Sequence, residues 1–497
     1  MPEKDVETLH GVQFAPTEGR RSSSAVGKAV FSDAVSAVDP TLARHISSIK
    51  DWRKRYMAPV RDVVVAGVAS PKDALRIAAD GLDALHRNLT FASDGDDQSL
   101  RAALATDNEE IETQSIPSAG SHPGALKVPY RGEELYDDAL LRRLEDWERD
   151  NVIHASCAAA VAKVVRSPEW LDLADRTFVL LGAASQMGPV EHLLAWGAHV
   201  VAVDLPRPAL WEHVLDRNRQ GSGRLTVPLR GNVEDRDDVA GRAGVDLIAD
   251  LPAVATWLQG LEGPYTIGNY VYADGATFVR VAAGVDALIA QIVEQRKDVS
   301  LAYLATPTDV YAVPSDVVDN ARAGRSHGLA RSTASVLTRG NLYRPNYQET
   351  LSCEDGSEWG ISDCLVPIQG PNYALAKSLQ RWRAMMAREE GRLSSANVAP
   401  ATRTTSVTKN KMLAAAYRGA GAFGVEIFEP ETSSALMAAL LVHDLRDESS
   451  SARPETPLDH PYRLFSEGAA HGGIWNLGHE PRTVLPLALL RGAIGRS

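Results

Sequence analysis

Two residues able to do proton chemistry stand four apart in GPNYALAKSLQRW, Gly370 to Trp382: Tyr373 and Lys377. The run is rich in alanine and leucine behind a proline, so it reads as a helix. Residues four apart share one helix face, and a phenol and an ammonium there could act on one ligand. A nearby cation favours phenolate over phenol, which lowers a reference pKa of about 10 toward working pH. That is the equipment of a proton donor to a carbonyl oxygen. The spacing alone carries little weight. With 13 tyrosines and 11 lysines in 497 residues, ~0.3 such pairs arise by chance, and an ordinary amphipathic helix would hold the same pair.

A second constellation lies upstream in LLGAASQMGPVEHLL. Gly182 and Gly188 bracket a turn between an apolar strand and a helix, with Pro189 suited to the first helical position. A glycine at the strand end permits a tight turn, and the later one permits close helix–strand approach. Amides at the helix start would then face a pyrophosphate. Asp204 ends the next strand, 22 residues beyond Gly182, where a carboxylate accepts hydrogen bonds from a ribose diol. An ordinary strand–helix turn with an acid at a cap is the bland alternative. An acid in that place repels a 2′-phosphate, so NAD is the expected cofactor; Arg207, three residues on, leaves NADP open.

The elements that must position these residues alternate. TFVLLGA, HVVAVD, RLTVPLRG, YTIGNYVY and VSLAYLAT read as strands, separated by VEHLLAWG, PALWEHVLDR and VRVAAGVDALIAQIVEQ as helices. Helices of that length between strands imply right-handed crossovers and a doubly wound parallel sheet. Ahead of it, residues 1–165 read as a mainly helical region. Polar stretches interrupt it at GRRSSS, Gly19 to Ser24, and at Asp107 to Gly124, which reads as a loop or linker. Residues 166–497 form the α/β domain, with Arg446 to Pro461 expected as an exposed loop.

Hydrophobic content of 44% with 23% charged residues is that of a globular chain. A net charge of −12 argues against a nucleic-acid partner, since nothing offsets phosphate repulsion. No apolar run approaches the ~18 residues of a membrane span, and MPEKDVETLH lacks a signal-peptide core. Cys157, Cys353 and Cys364 have no metal-ligand spacing. A cytoplasmic protein with a small-molecule substrate, self-association, and no metal is expected.

Taken in chain order, these segments resemble the short-chain dehydrogenases/reductases over about Thr177 to Pro481. LGAASQMG is similar to the family's T-G-x-x-x-G-x-G, with Gln186 in place of the middle glycine. LRGNVEDRDDV, Leu229 to Val239, resembles the segment after its third strand, so that Asn232 and Val233 flank the adenine. LATPTDVYAVP, Leu304 to Pro314, resembles the fifth strand, most closely the S-S-x-x-V-Y-G form of extended members. Tyr373 and Lys377 match Y-x-x-x-K. SANVAPATRTTSV, Ser395 to Val407, is similar to P-G-x-x-x-T, with Pro400 and Thr404 matching and Ala401 in the glycine's place. GGIWNLGHEP, Gly472 to Pro481, resembles the last strand.

The resemblance implies a Rossmann-type fold and puts Gly182, Ser185, Gln186, Met187, Gly188, Asp204, Asn232, Val233, Lys377, Pro400 and Thr404 against NAD(P). It makes Tyr373 the acid–base and gives Lys377 the nicotinamide ribose and the lowering of the tyrosine pKa. A strand-five hydroxyl holds the substrate oxygen: Thr306 aligns best, with Thr308 and Ser362 as alternatives. Three departures are visible. Val281 or Ala282 stands where the family has an asparagine, the motif after strand four is unreadable in NYVYADG, and an insert at about 315–370 precedes Tyr373. Its aromatic residues Tyr343, Tyr347 and Trp359 read as a cover over the substrate, with an oligomer contact as the other reading. The implied activity is interconversion of a secondary alcohol and a ketone. An epimerase or dehydratase with tightly bound NAD, and a non-catalytic dinucleotide-binding protein, are the alternatives.

Overall fold

The computed structural model describes residues 10–494 apart from 94–95, 107–109, 121–122, 231–237, 326–334 and 336. Seven strands form the main sheet: β1 (Glu112–Pro117), β2 (Thr177–Leu181), β3 (His199–Val203), β4 (Arg224–Leu229), β5 (Tyr265–Asn269), β6 (Val299–Ala305) and β7 (Ser394–Val398). Their order across the sheet is β7-β6-β5-β2-β3-β4-β1. β2 to β7 are parallel and β1 is antiparallel to β4. Strand order therefore reverses between β2 and β5, and in open parallel sheets the crevice at such a point, beyond the carboxyl ends, is where ligands bind.

Successive strand side chains point to opposite faces, and the core divides accordingly. Val179, Leu181, Val201, Ile267 and Leu301 join one apolar cluster, with the helices Gly275–Gln295 and Gly370–Glu389. Phe178, Leu180, Val200, Leu225 and Val227 join the other, with Ala155–Arg166, Pro208–Gln220 and Pro430–Arg446. Gly275–Gln295 is long and apolar enough to cross a membrane by length and composition, yet two thirds of its apolar window is buried inside the protein. It is a core helix.

The helices Ser23–Val35, Met57–Val68 and Pro71–Arg87 add a further layer outside that first face. Pro71–Arg87 comes so near Gly370–Glu389 that a Cβ on Gly81 would lie 2.4 Å from the Trp382 ring. One buried ion pair fixes this junction. Asp286 accepts Arg383 through both oxygens, at 2.8 and 2.9 Å, and bonds His86 Nε2 at 2.8 Å. Burial alone would raise the Asp286 pKa, but the Arg383 guanidinium holds it well below the carboxylate range.

Three expectations need correction. Glu112–Pro117 is no linker: it pairs with β4 from Glu112↔Leu229 to Pro117↔Arg224 as an edge strand, so residues before 166 complete the sheet. Its side chains are exposed or half-buried, which is why it reads as loop. GRRSSS leads straight into Ser23–Val35, with Ser22 accepting from the Ala25 amide as N-cap. Gly472 to Pro481 forms no strand; Ile474–Asn476 is a 3₁₀ turn after a left-handed Gly473.

Removing the Asp286 carboxylate strands a guanidinium in the core. Asp286→Ala is expected to lose roughly 3–5 kcal/mol of stability, read by urea unfolding, whereas Asp80→Ala, which breaks the surface pair with Arg76, should change it by less than about 1 kcal/mol.

Candidate active site

Tyr373 lies in the first turn of Gly370–Glu389, at the carboxyl-end side of β6. The loop leaving β6 brings Thr306 and Thr308 to it, their hydroxyl oxygens 3.1 Å apart. Gln369 Nε2 donates to the Thr308 hydroxyl at 2.9 Å and to its carbonyl at 3.1 Å. Burial pushes the Tyr373 phenol up to about 12, and hydrogen bonds with Thr306, Thr308 and Gln369 offset only part of that. The net lowering expected of Tyr373 is not seen: the phenol stands above its ordinary value. The Lys377 ammonium is turned to the Leu304 carbonyl at 3.3 Å and to Gln380 Oε1 at 2.9 Å. Burial lowers Lys377 itself to about 8, against the pull of Asp309.

The rim of this cluster is aromatic. Phe278, on the helix after β5, sits 5.9 Å from the Tyr373 ring and 5.9 Å from Lys377 Nζ. Tyr272, half exposed, leans on Phe278 at 5.2 Å. Tyr272 reaches Ser406 and so touches the 404–406 segment. Val281 and Ala282, on the same helix as Phe278, supply no polar atom.

The glycine turn lies at the point where strand order reverses. Gly182 adopts φ +81, and a Cβ there would meet the backbone of Tyr270 and Val271 at 2.9 Å. Only glycine fits this approach. The chain then turns twice, Ser185 N–H to Gly182 O and Gly188 N–H to Ser185 O. Asp204 bonds the turn rather than standing clear: its two oxygens accept from the Ala184 and Leu205 amides at 2.8 and 2.7 Å. Burial raises its pKa. Gln186 Oε1 accepts the Thr405 amide at 2.7 Å, tying the turn to the segment that holds Thr404. Met187 packs beside Tyr270 and Leu304. The Gly188 carbonyl is held by Ser434, and the Pro400 carbonyl by Thr402.

The structure thus gathers Tyr373, Lys377, Thr306 and Thr308 at one point, and Gly182, Ser185, Gln186, Met187, Gly188 and Asp204 at another. Gln186 links the second to Thr404. Ser362 lies elsewhere, buried against Cys364 at 3.4 Å. Asn232 and Val233 fall outside the described residues. In the insert, Tyr347 and Trp359 are core residues: the Tyr347 hydroxyl donates to the Trp475 carbonyl, and Trp359 packs on His460 at 5.1 Å. Gln369, at its end, is what reaches Tyr373. A cleft of about 890 Å³ between the N-terminal helices and the insert, lined by Arg61, Gln348 and Arg482, shares no lining residue with the Tyr373 cluster.

Gln369, Gln380, Phe278 and Asp309 were not singled out in sequence. Asp309 offered a signal: an acid directly before the apolar run VYAVP, where it is fully buried.

A dinucleotide fits this donor set. Among the described residues, the Gln186 and Met187 amides at the turn apex have no intrachain acceptor, as a pyrophosphate requires. The Thr404 hydroxyl, whose bond is to the exposed Ser406 hydroxyl, and the third proton of Lys377 could serve the ribose end.

No family model matches the chain, and no curated protein matches it. Among solved structures it is similar to a 3-oxoacyl-[acyl-carrier protein] reductase from Brucella melitensis, at 15% identity and a TM-score of 0.32, over 53% of this chain and 83% of that one. It is also similar to a 3-oxoacyl-[acyl-carrier protein] reductase with bound NAD from Brucella melitensis, at 15% identity and a TM-score of 0.30, over 52% and 81%. Likeness at this level assigns neither a family nor an activity, so roles are read from the site's own geometry.

Gly182→Ala should cost roughly 1–3 kcal/mol, from a strained φ and the clash with Tyr270. Urea unfolding checks it, and unaltered stability would contradict the turn geometry.

Proposed function

We propose that the protein is a dinucleotide-dependent oxidoreductase of the short-chain dehydrogenase/reductase type, with a Rossmann-type domain and NAD as the preferred cofactor. Its reaction interconverts a secondary alcohol and a ketone. The observation that carries this reading is the convergence of Thr306, Thr308, Tyr373 and Lys377 beyond the carboxyl end of β6, beside the crevice where strand order reverses.

The cofactor, when bound, supplies or accepts the hydride. The chain's own residues manage the oxygen. Thr306 and Thr308 hold it with two hydroxyls. Tyr373 delivers its phenolic proton to that oxygen in the reductive direction, and its high pKa keeps the proton available at neutral pH. Lys377 keeps its ammonium toward the ribose hydroxyls and lends positive charge beside the tyrosine as negative charge develops. Phe278 and Tyr272 bar water from one side.

Tyr373→Phe removes one hydroxyl and should reduce turnover by ~10²-fold or more while leaving fold and cofactor affinity intact. Lys377→Ala should reduce turnover and weaken cofactor binding as well. Both are measured on the substrate found in a screen of ketones and alcohols; a Tyr373→Phe enzyme at the parental rate would end the catalytic reading.

The pH dependence follows from the lysine. Lys377 is charged below its pKa of about 8 and neutral above it, while Tyr373 stays protonated throughout that range. Ketone reduction should therefore fall as pH rises through about 8, seen as an alkaline limb in kcat/KM. A profile flat across that pH would contradict the role given to Lys377.

A further inference from the structure

Gln369 stands immediately before Gly370–Glu389, at the end of the insert, and its side chain ties three segments together. Its Oε1 accepts the Val366 amide at 3.0 Å. Its Nε2 donates to the Thr308 hydroxyl at 2.9 Å and to the Thr308 carbonyl at 3.1 Å. A backbone N–H can only donate and a backbone carbonyl can only accept, so two independent bonds fix which end of the carboxamide faces Thr308. It is the donor end. The two threonine hydroxyls lie 3.1 Å apart, and the Thr308 amide donates to the Thr306 hydroxyl oxygen at 3.4 Å. Tyr311 Oη donates to the Thr306 carbonyl at 2.7 Å and so holds the backbone of this loop. Distance alone allows either threonine to donate to the other.

The proton count does not depend on that choice. Two hydroxyls carry two protons and four lone pairs. The bond between them uses one proton and one lone pair. Gln369 Nε2 occupies a second lone pair and the Thr308 amide a third. One proton is left over in either order. Among the described residues, no carbonyl or carboxylate accepts it. The neighbour within reach is the Tyr373 phenol, which has a proton of its own to give. A carboxylate in place of the carboxamide would reverse the count. It can only accept, so it would draw the Thr308 proton, Thr308 would draw that of Thr306, and none would remain.

We propose that Gln369 is a positioning residue: by donating to Thr308 it keeps the Thr306–Thr308 pair a proton donor toward the substrate oxygen. The pair then holds that oxygen through its single remaining proton, and Tyr373 supplies the other. This deepens the function proposed above and rests on it. The insert serves the site through its last residue, acting by way of Thr308. Other titratable groups lie near. Tyr373 and Lys377 come from the following helix, Asp309 follows Thr308 directly, and Tyr56 Oη donates to the Val366 carbonyl at 3.4 Å. Tyr272, Tyr311 and Tyr417 face Tyr373 from other elements. Lys377 is bonded to Leu304 and Gln380, and Asp309 is paired with Arg381. Among the described residues, Tyr373 is the one titratable group within reach of the two hydroxyls.

Gln369→Glu and Gln369→Met separate this role from a merely structural one. Both keep the length of the side chain; the first, when ionised, only accepts, and the second does not donate. On the substrate found in the ketone and alcohol screen, Gln369→Glu should lose about tenfold in kcat/KM at neutral pH, the scale of one hydrogen bond. It should regain activity as pH falls, because a protonated carboxyl can donate to Thr308 again. Gln369→Met should lose less and show no recovery in acid. Parental kcat/KM in Gln369→Glu, or equal losses in both variants with the same pH profile, would overturn the proposal. Should a variant fail to fold, a neutron structure of the unmodified protein in heavy water decides, with neither cofactor nor substrate. A deuteron on Gln369 Nε2 directed at Thr308, one between the threonine oxygens and one directed from the pair toward Tyr373 and the crevice support it. A Thr308 deuteron directed at Gln369 overturns it. If the deuterons stand as described while neither dinucleotide binds, the donor arrangement stands and the oxidoreductase reading fails. Dinucleotide binding with the opposite deuteron order leaves that reading and removes this one.

Discussion

The buried pair between Asp286 and Arg383 is the contact on which the site depends. It joins three helices: Pro71–Arg87 through His86, Gly275–Gln295 through Asp286, and Gly370–Glu389 through Arg383. The last of these carries Tyr373, Lys377, Gln380 and Arg381. A slip of one residue would turn the helix face by about 100° and take phenol and ammonium away from Thr306 and the Leu304 carbonyl. A bidentate guanidinium–carboxylate contact tolerates no such rotation. Trp382 against Gly81 sets the distance, and the ion pair sets the angle. The N-terminal helices thereby act on the chemistry without touching it.

Burial shifts Tyr373 and Lys377 in opposite directions, the phenol up and the ammonium down. It disfavours the charged form of each, so the tyrosine keeps its proton and the lysine tends to lose its own. A neutral phenol beside a neutral amine would donate poorly, because nothing would meet the charge left behind. Asp309, ion-paired with Arg381 at 3.3 Å, opposes the loss of the Lys377 proton.

Much of this was legible in the residues. Short continuous apolar runs such as TFVLLGA and HVVAVD marked strands buried on both faces, and Gly182 marked the turn by its place at a strand end. That Tyr373 and Lys377 share one helix was legible from spacing, and the resemblance had set Thr306 beside Tyr373, where the structure places it. Glu112–Pro117 was not, because an edge strand exposed along its length has the polar composition of a loop. Nor was the insert: Tyr347 and Trp359 look like cover for a ligand, and only their contacts with Trp475 and His460 show them to be core. Asp309 could not be placed, since its partner Arg381 comes from a later helix. The sign of the tyrosine shift failed for a related reason. Spacing put the lysine on the right face but could not show that its ammonium turns to Leu304 and Gln380.

The central claim is that the crevice at the ends of β2 and β5 holds a nicotinamide dinucleotide with its reactive end at Tyr373. Titration of the unmodified protein with NADH and NADPH, followed by nicotinamide fluorescence, tests it most directly. Saturable binding of NADH, tighter than that of NADPH and competed by NAD, is the result this account predicts. No binding of either dinucleotide up to millimolar concentration would contradict it.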